Sequence, residues 1–208
     1  MVPFSQALPR RFVLSFLGVV LLSSPAWGHP HVFLDGELRV RAAKGRVTAL
    51  ELIWEFDEAF SQGMAGDFDR NGDGKFDQKE TKALFKGGFE NLKHFGYFLR
   101  LELDGKVLPP LKKARDFSPR LDGETGKLVY RFVLPVDLAP RAEGSTLVVS
   151  LYDTSYYVDT LWKEGHPGKA TGDGSLSMAF SLGKGKAPSE YWGTCEVPQI
   201  RVRLGAKR

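Results

Sequence analysis

The sequence contains a single cysteine, Cys195, so an internal disulfide is excluded and the thiol is expected to be buried or without a role. The nucleophile motif G-x-S-x-G, the zinc motif H-E-x-x-H and a glycine-rich phosphate loop are all absent. No two carboxylates are singled out for acid–base chemistry. We therefore expect a protein that is not an enzyme.

Long hydrophobic runs are also lacking. The longest, Phe12 to Leu22, has about eleven residues, too few for a comfortable permanent span of a bilayer. It follows Arg10 and Arg11 and leads to Ala26-Trp27-Gly28, a small-x-small cleavage pattern. Residues 1–28 are therefore predicted to be a signal peptide and the mature protein to be periplasmic; a retained anchor is the alternative. No cysteine follows the run, which argues against a lipoprotein.

A strong charge of one sign is missing as well. The net charge of +4 falls to +2 on cleavage after Gly28, because the removed part holds two arginines and no acid. This balance gives no reason to expect a nucleic-acid partner. Cleavage after Gly28 would also remove the longest apolar run, so no stable membrane span is expected in the mature protein.

One acidic stretch matches the calcium-loop pattern D-x-[DN]-x-[DN]-G-x₅-E. Its carboxylates would repel one another without a cation, and calcium prefers roughly six to eight oxygen ligands. Gly74 stands where the chain must turn sharply, and Lys75 would contribute its backbone carbonyl. The alternative is a solvated acidic turn. The predicted ligands are Asp69, Asn71, Asp73, Lys75, Asp77 and Glu80.

Apolar residues on both sides of this loop have helical spacing. Phe60, Met64 and Phe68 form one stripe before it, and a second stripe after it runs from Phe85 through Phe89 and Leu92 to Phe95. Phe76 is expected to point inward. The helix–loop–helix resembles an EF-hand. No second loop is present, since 172–177 lacks the required acids, so a calmodulin-type switch is not expected.

The rest of the mature chain reads as short strands separated by Gly/Pro turns. It is predicted to be mainly β: an Ig-like antiparallel β-sandwich of residues 29–208, with the helical EF-hand-like segment 57–95 inserted after the second strand. Residues 183–188 are expected to form a loop. The clearest predicted strands are 48–56, 97–103, 117–121, 127–134 and 146–152, with 176–182 and 197–204 weaker. In 48–56 the residues Leu50, Leu52, Trp54 and Phe56 share one face and Glu51 lies on the opposite one; in 127–134 one face is lined by Leu128, Tyr130, Phe132 and Leu134. Asp104-Gly105-Lys106 predicts a tight hairpin turn.

The predicted mature amino end begins His29-Pro30-His31, so the free amine, His29 and His31 are candidate ligands for nickel, cobalt, zinc or copper. Pro30 has no amide proton, which blocks the planar amide-bound mode. A frayed terminus is the alternative. Asp153 is a further candidate ligand, or else a turn cap, in a stretch where Tyr156 and Tyr157 offer a binding wall or a cover for the core. His94 and His166 have no visible partners.

The mature chain resembles a family of exported bacterial proteins of unknown function, commonly labelled as the periplasmic component of an uncharacterised ABC-type transport system. The resemblance implies a role in metal traffic beside a metal permease or an ABC transporter. At 208 residues the chain is shorter than a two-lobed solute-binding protein. The matching stretches are His29–Asp35, Trp54–Glu58, Asp67–Gly74, Phe89–Leu92, Asp116–Phe117 and Tyr152–Val158.

Two functions remain open at this point. The first is a non-enzymatic, calcium-binding accessory of a metal transport system, with a transition metal at His29 and His31. The second is a secreted, calcium-stabilised adaptor or envelope protein without cargo. A copper oxidase is a minor third reading, because only His94 and His166 could complete its site.

Overall fold

The computed structural model describes residues 31–206. The predicted signal peptide (1–28) and His29 lie outside the described residues, so the structure does not test the predictions made for them.

Within the described part, eleven strands form two sheets with a helical segment between the second and third strands. This confirms the predicted mainly-β sandwich with its helical insert. The strands are β1 (Val32–Ala43), β2 (Arg46–Phe56), β3 (Leu99–Leu103), β4 (Lys106–Val107), β5 (Arg115–Leu121), β6 (Leu128–Leu138), β7 (Ser145–Leu151), β8 (Val158–Trp162), β9 (Lys169–Gly172), β10 (Leu176–Ser189) and β11 (Gly193–Ala206).

The first sheet has the order β5-β6-β2-β1-β8, and β9 pairs with the same edge of β1 farther along that strand. Strands β5, β6, β2 and β1 are antiparallel neighbours, whereas β8 and β9 run parallel to β1. The sheet is therefore mixed rather than wholly antiparallel. Neither β8 nor β9 was predicted, because five- and four-residue strands carry too little alternation to stand out.

The second sheet has the order β10-β11-β7-β3-β4. Strands β10 and β11 form a long hairpin paired from Leu176↔Ala206 to Ser189↔Gly193. The predicted loop at 183–188 is wrong, since those residues continue β10. Their Gly and Lys content suits an edge strand that faces solvent along most of this stretch, where pairing with β11 satisfies the backbone; within 183–188 only Ala187 is buried.

The core lies between the sheets and follows the expected alternation. Trp54 and Phe132 are fully buried and pack edge to face with ring centroids 4.7 Å apart. The predicted inward faces of β2 and β6 are both buried. The side chains concerned are Leu50, Leu52, Trp54, Phe56, Leu128, Tyr130, Phe132 and Leu134.

The insert begins with α1 (Glu58–Phe68) and continues with α2 (Gln78–Leu84), a π-helical turn (Phe85–Phe89) and a 3-10 segment (Glu90–Phe98). The helix predicted from Phe85 to Phe95, with a kink at Gly87-Gly88, is not one α-helix, because the backbone changes from α to π after Leu84 and to 3-10 after Phe89. Phe89 is fully buried, but Phe95 is 57% exposed and does not belong to the apolar stripe. Strand β3 starts at Leu99, since Gly96, Tyr97 and Phe98 have positive φ.

In the described part of the chain, no helix combines the length and apolar character needed to cross a membrane.

Candidate metal centre

The acidic loop between α1 and α2 folds around the side chain of Asp69. Its Oδ1 accepts hydrogen bonds from the backbone amides of Gly72 (2.9 Å) and Asp73 (3.2 Å), and its Oδ2 accepts one from Gly74 (2.9 Å). Asn71 Oδ1 accepts from the Asp73 amide at 3.0 Å. The first three predicted oxygen donors thus lie within one tight turn.

Glu80 closes the loop from the other side. Its Oε1 accepts from the Arg70 amide (2.8 Å) and its Oε2 from the Asp77 amide (2.9 Å), so one carboxylate joins both ends of the loop. The side chain is buried although Glu80 belongs to a short surface helix. Asp77 caps that helix by accepting from the amides of Lys79 and Glu80, which completes a capping box.

Backbone conformation and packing support this arrangement. Gly74 has φ +75°, in the left-handed region that a residue with a side chain adopts only at a cost. Phe76 is half-buried and packs against the core, as predicted. The ring anchors the loop, while residues 70–75 stay exposed and open to solvent ions.

The chemistry of the donors fits a hard divalent cation, because every predicted ligand atom is oxygen. The oxygens do not form a ready-made cage: within residues 31–206 no group of three or more His, Cys, Asp or Glu side chains stands in metal-binding arrangement. They accept hydrogen bonds from loop amides instead. Binding through Glu80 would therefore require its carboxylate to exchange amide partners for the cation.

Two residues that fix the insert to the sandwich were missed by the sequence reading. Asp57 accepts from the Phe60 amide through Oδ1 (2.9 Å), capping α1, and from the Phe33 amide through Oδ2 (2.8 Å), tying the helix to β1. The buried hydroxyl of Ser61 donates to the Asp57 carbonyl (2.6 Å) and accepts from the Leu128 amide (2.8 Å). The position of an Asp just ahead of an apolar stripe is a sequence signal that could have identified the helix cap, whereas no local signal points to Ser61.

His31 lies at the start of the described chain, exposed, with its ring 5.1 Å from that of Tyr157. Its backbone amide donates to the Tyr157 carbonyl at 2.9 Å. The structure gives His31 an aromatic neighbour and does not show where His29 lies. A transition-metal site at these two histidines stays a prediction.

Asp153 is nearly buried and both of its oxygens are used inside its own turn. Oδ1 accepts from the amide and hydroxyl of Ser155, and Oδ2 accepts from the amides of Tyr157 and Val158. These hydrogen bonds are those of a turn cap, the alternative to a metal ligand that the sequence left open for Asp153. Tyr156 and Tyr157 are exposed, so they do not cover the core.

The molecule is thus a two-sheet β-sandwich that carries a helical insert with an acidic loop. Residues 14–182 match the family described as "Protein of unknown function (DUF1007)", and the chain belongs to that family. It is also similar to the "Uncharacterized 15.5 kDa protein in trpE 3'region" of Spirochaeta aurantia. The two are 36% identical over 120 residues, which cover 56% of this chain and 82% of the relative.

Proposed function

We propose that this protein is an exported, non-enzymatic calcium-binding protein whose ion sits in the loop Asp69–Glu80. The observation that carries the proposal is that Asp69, Asn71 and Glu80 all accept backbone amides of one loop, whose Gly74 already has the backbone conformation that an ion-binding loop needs. A solvated turn does not require a buried glutamate that bridges both ends of the loop.

The same proposal places the protein in the periplasm as an accessory of a metal permease or an ABC transporter. Support comes from the signal-like segment 1–28, from the resemblance to proteins labelled as transport components, and from the amino-terminal histidines. The cargo in this proposal is a transition metal held by His29 and His31 with the free amine, and calcium is the structural or sensing ion. The alternative is a calcium-stabilised envelope protein without cargo.

Calorimetric titration of residues 29–208 with Ca²⁺ tests the first part. We expect one site per chain, and Glu80→Gln should weaken its affinity more than tenfold because one charged oxygen ligand is lost. Glu58→Gln is the matched control: Glu58 is an exposed glutamate in the first turn of α1, outside the loop. Equal affinities for the parent and Glu80→Gln would reject the calcium site.

Titration of the same protein with Ni²⁺, Zn²⁺ and Cu²⁺ tests the cargo. Binding that His31→Ala abolishes, while calcium binding persists, supports the transport role. If none of these metals binds, or if His31→Ala binds them as well as the parent does, the alternative without cargo takes its place. The calcium result is independent of both outcomes.

A further inference from the structure

Three arginines converge on one carboxylate on the outer face of the first sheet, the face turned away from the core. Glu51 is nearly buried, and the guanidiniums of Arg131, Arg39 and Arg41 lie 2.6, 3.4 and 3.8 Å from its oxygens. The arginine side chains are 57%, 35% and 42% exposed, in the same order. The group lies outside the helical insert.

Strand pairing adds a fourth cation to the group. Arg39 stands directly opposite Glu51 on one side and opposite Lys169 of β9 on the other. Lys169 is exposed. Four cations therefore share a patch with one acid; we call these four residues and Glu51 the basic patch.

The other half of the same face is balanced by contrast. Lys163 bridges Glu37 (3.5 Å) and Glu55 (3.4 Å), and Lys127 also contacts Glu55 (3.1 Å). Burial acts to raise the pKa of Glu55, but the two lysines outweigh it and the pKa is lowered. The excess of positive charge is thus local to the basic patch rather than a property of the whole sheet.

The donors of the basic patch exceed what Glu51 can accept. Each guanidinium carries five N–H groups in a planar fork, whereas a carboxylate offers about four lone-pair directions to all three arginines together. Within residues 31–206, Glu51 is the one acidic side chain in ion-pair contact with these guanidiniums. Since all three arginine side chains are partly exposed, a solute can reach them.

We propose that the basic patch binds an oxyanion of the phosphate type. Forked guanidiniums suit the tetrahedral oxygens of phosphate, and Lys169 adds a compact positive charge. Glu51 holds the arginines side by side. The phosphate group can come from a free phosphate or phosphate ester, or from the headgroup of an anionic lipid.

The first arm titrates inorganic phosphate into residues 29–208 at low ionic strength with a calcium chelator present, followed by calorimetry and ³¹P NMR. We expect saturable binding that weakens at least fivefold in Arg41→Gln and in Lys169→Gln. Arg41 has the longest contact to Glu51, so its removal leaves Arg39 and Arg131 to hold that carboxylate. Arg120→Gln is the matched control, because Arg120 is an exposed cation of the same sheet paired with Asp122 at 2.9 Å; it should bind within twofold of the parent.

The second arm measures co-sedimentation with phosphatidylglycerol vesicles and with phosphatidylcholine vesicles. Sedimentation with the anionic vesicles that Arg41→Gln and Lys169→Gln reduce, without saturable phosphate binding, identifies the lipid headgroup as the source. Saturable phosphate binding without vesicle sedimentation identifies a free phosphate. The proposal is overturned if neither probe binds, or if Arg120→Gln weakens binding as much as the patch variants do. Thermal unfolding of each variant confirms that it is folded.

Discussion

At the scale of single residues, several turns are stabilised by carboxylates that accept hydrogen bonds from backbone amides. Asp173 accepts from the amides of Lys44 (2.8 Å) and Ser175 (2.9 Å), which joins the β1–β2 turn to the start of β10. The Ser175 side chain and these amides lower the pKa of Asp173 to about 2. The turn therefore depends on an ionised aspartate that lies outside the acidic loop.

Asp173 gives a prediction about pH. Because its pKa is lower in the folded than in the unfolded chain, its contribution to stability is present above about pH 4 and is lost as the pH falls toward 2. In urea unfolding at a series of pH values, Asp173→Asn should show a flatter loss of stability between pH 4 and 2 than the parent. Curves that stay parallel through this range would contradict the prediction.

At the scale of elements, two glycines in the π-helical turn allow α1 to pack closely against it. A Cβ on Gly87 would meet the Phe68 ring at 2.7 Å, and a Cβ on Gly88 would meet Met64 Cε at 2.6 Å and Tyr130 Oη at 3.2 Å. Phe68 directly precedes the first residue of the acidic loop, so this contact links the loop to the π-helical turn. Burial raises the pKa of Tyr130, which lies beneath it.

Gly88→Ala tests this close packing. We expect it to lower the free energy of unfolding by about 1–3 kcal/mol, because the added methyl group must displace Met64 or Tyr130. Gly66→Ala in α1 is the control: nothing lies within 4 Å of its Cβ, and alanine should stabilise the helix by about 0.5–1 kcal/mol. Denaturant unfolding of both variants measures the contrast, and two changes of the same sign would refute the packing argument.

At the scale of the whole molecule, the insert is part of the core rather than an appendage. Phe89 stacks on Phe117 with ring centroids 4.2 Å apart and meets Phe132 edge to face at 4.9 Å. At the other end of the insert, Asp57 accepts a hydrogen bond from β1 and Ser61 accepts one from β6. An ion bound in the loop should therefore stabilise the domain as one cooperative unit.

We accordingly predict that calcium raises the unfolding temperature of residues 29–208. At a free concentration 100 times the Kd, linkage supplies about 2.7 kcal/mol, which corresponds to roughly 5–10 °C for a domain of this size. Differential scanning calorimetry with Ca²⁺ and with chelator measures the shift. In Glu80→Gln at the same calcium concentration the shift should fall by about half or more, because a tenfold weaker site leaves only about 1.4 kcal/mol of linkage. An undiminished shift there would mean that calcium acts elsewhere.

Sequence reasoning worked where the signal is local. Alternation in β2 and β6 gave the buried faces, and Asp104-Gly105, both with positive φ, forms the predicted tight hairpin turn. It missed what depends on distant partners. Glu51 lies on the face opposite the core, as the alternation predicts, but strand pairing surrounds it with Arg39 and Arg131 and buries it.

The amino-acid sequence alone determined the two-sheet class, the inward faces of its main strands and the spacing of oxygen donors in the acidic loop, because each depends on neighbours within a few residues. Only the tertiary structure decided the parallel placement of β8 and β9, the continuation of β10 through residues 183–188, and the basic patch. These features depend on which strands become neighbours, and that is set by competition among long-range pairings that no single segment encodes.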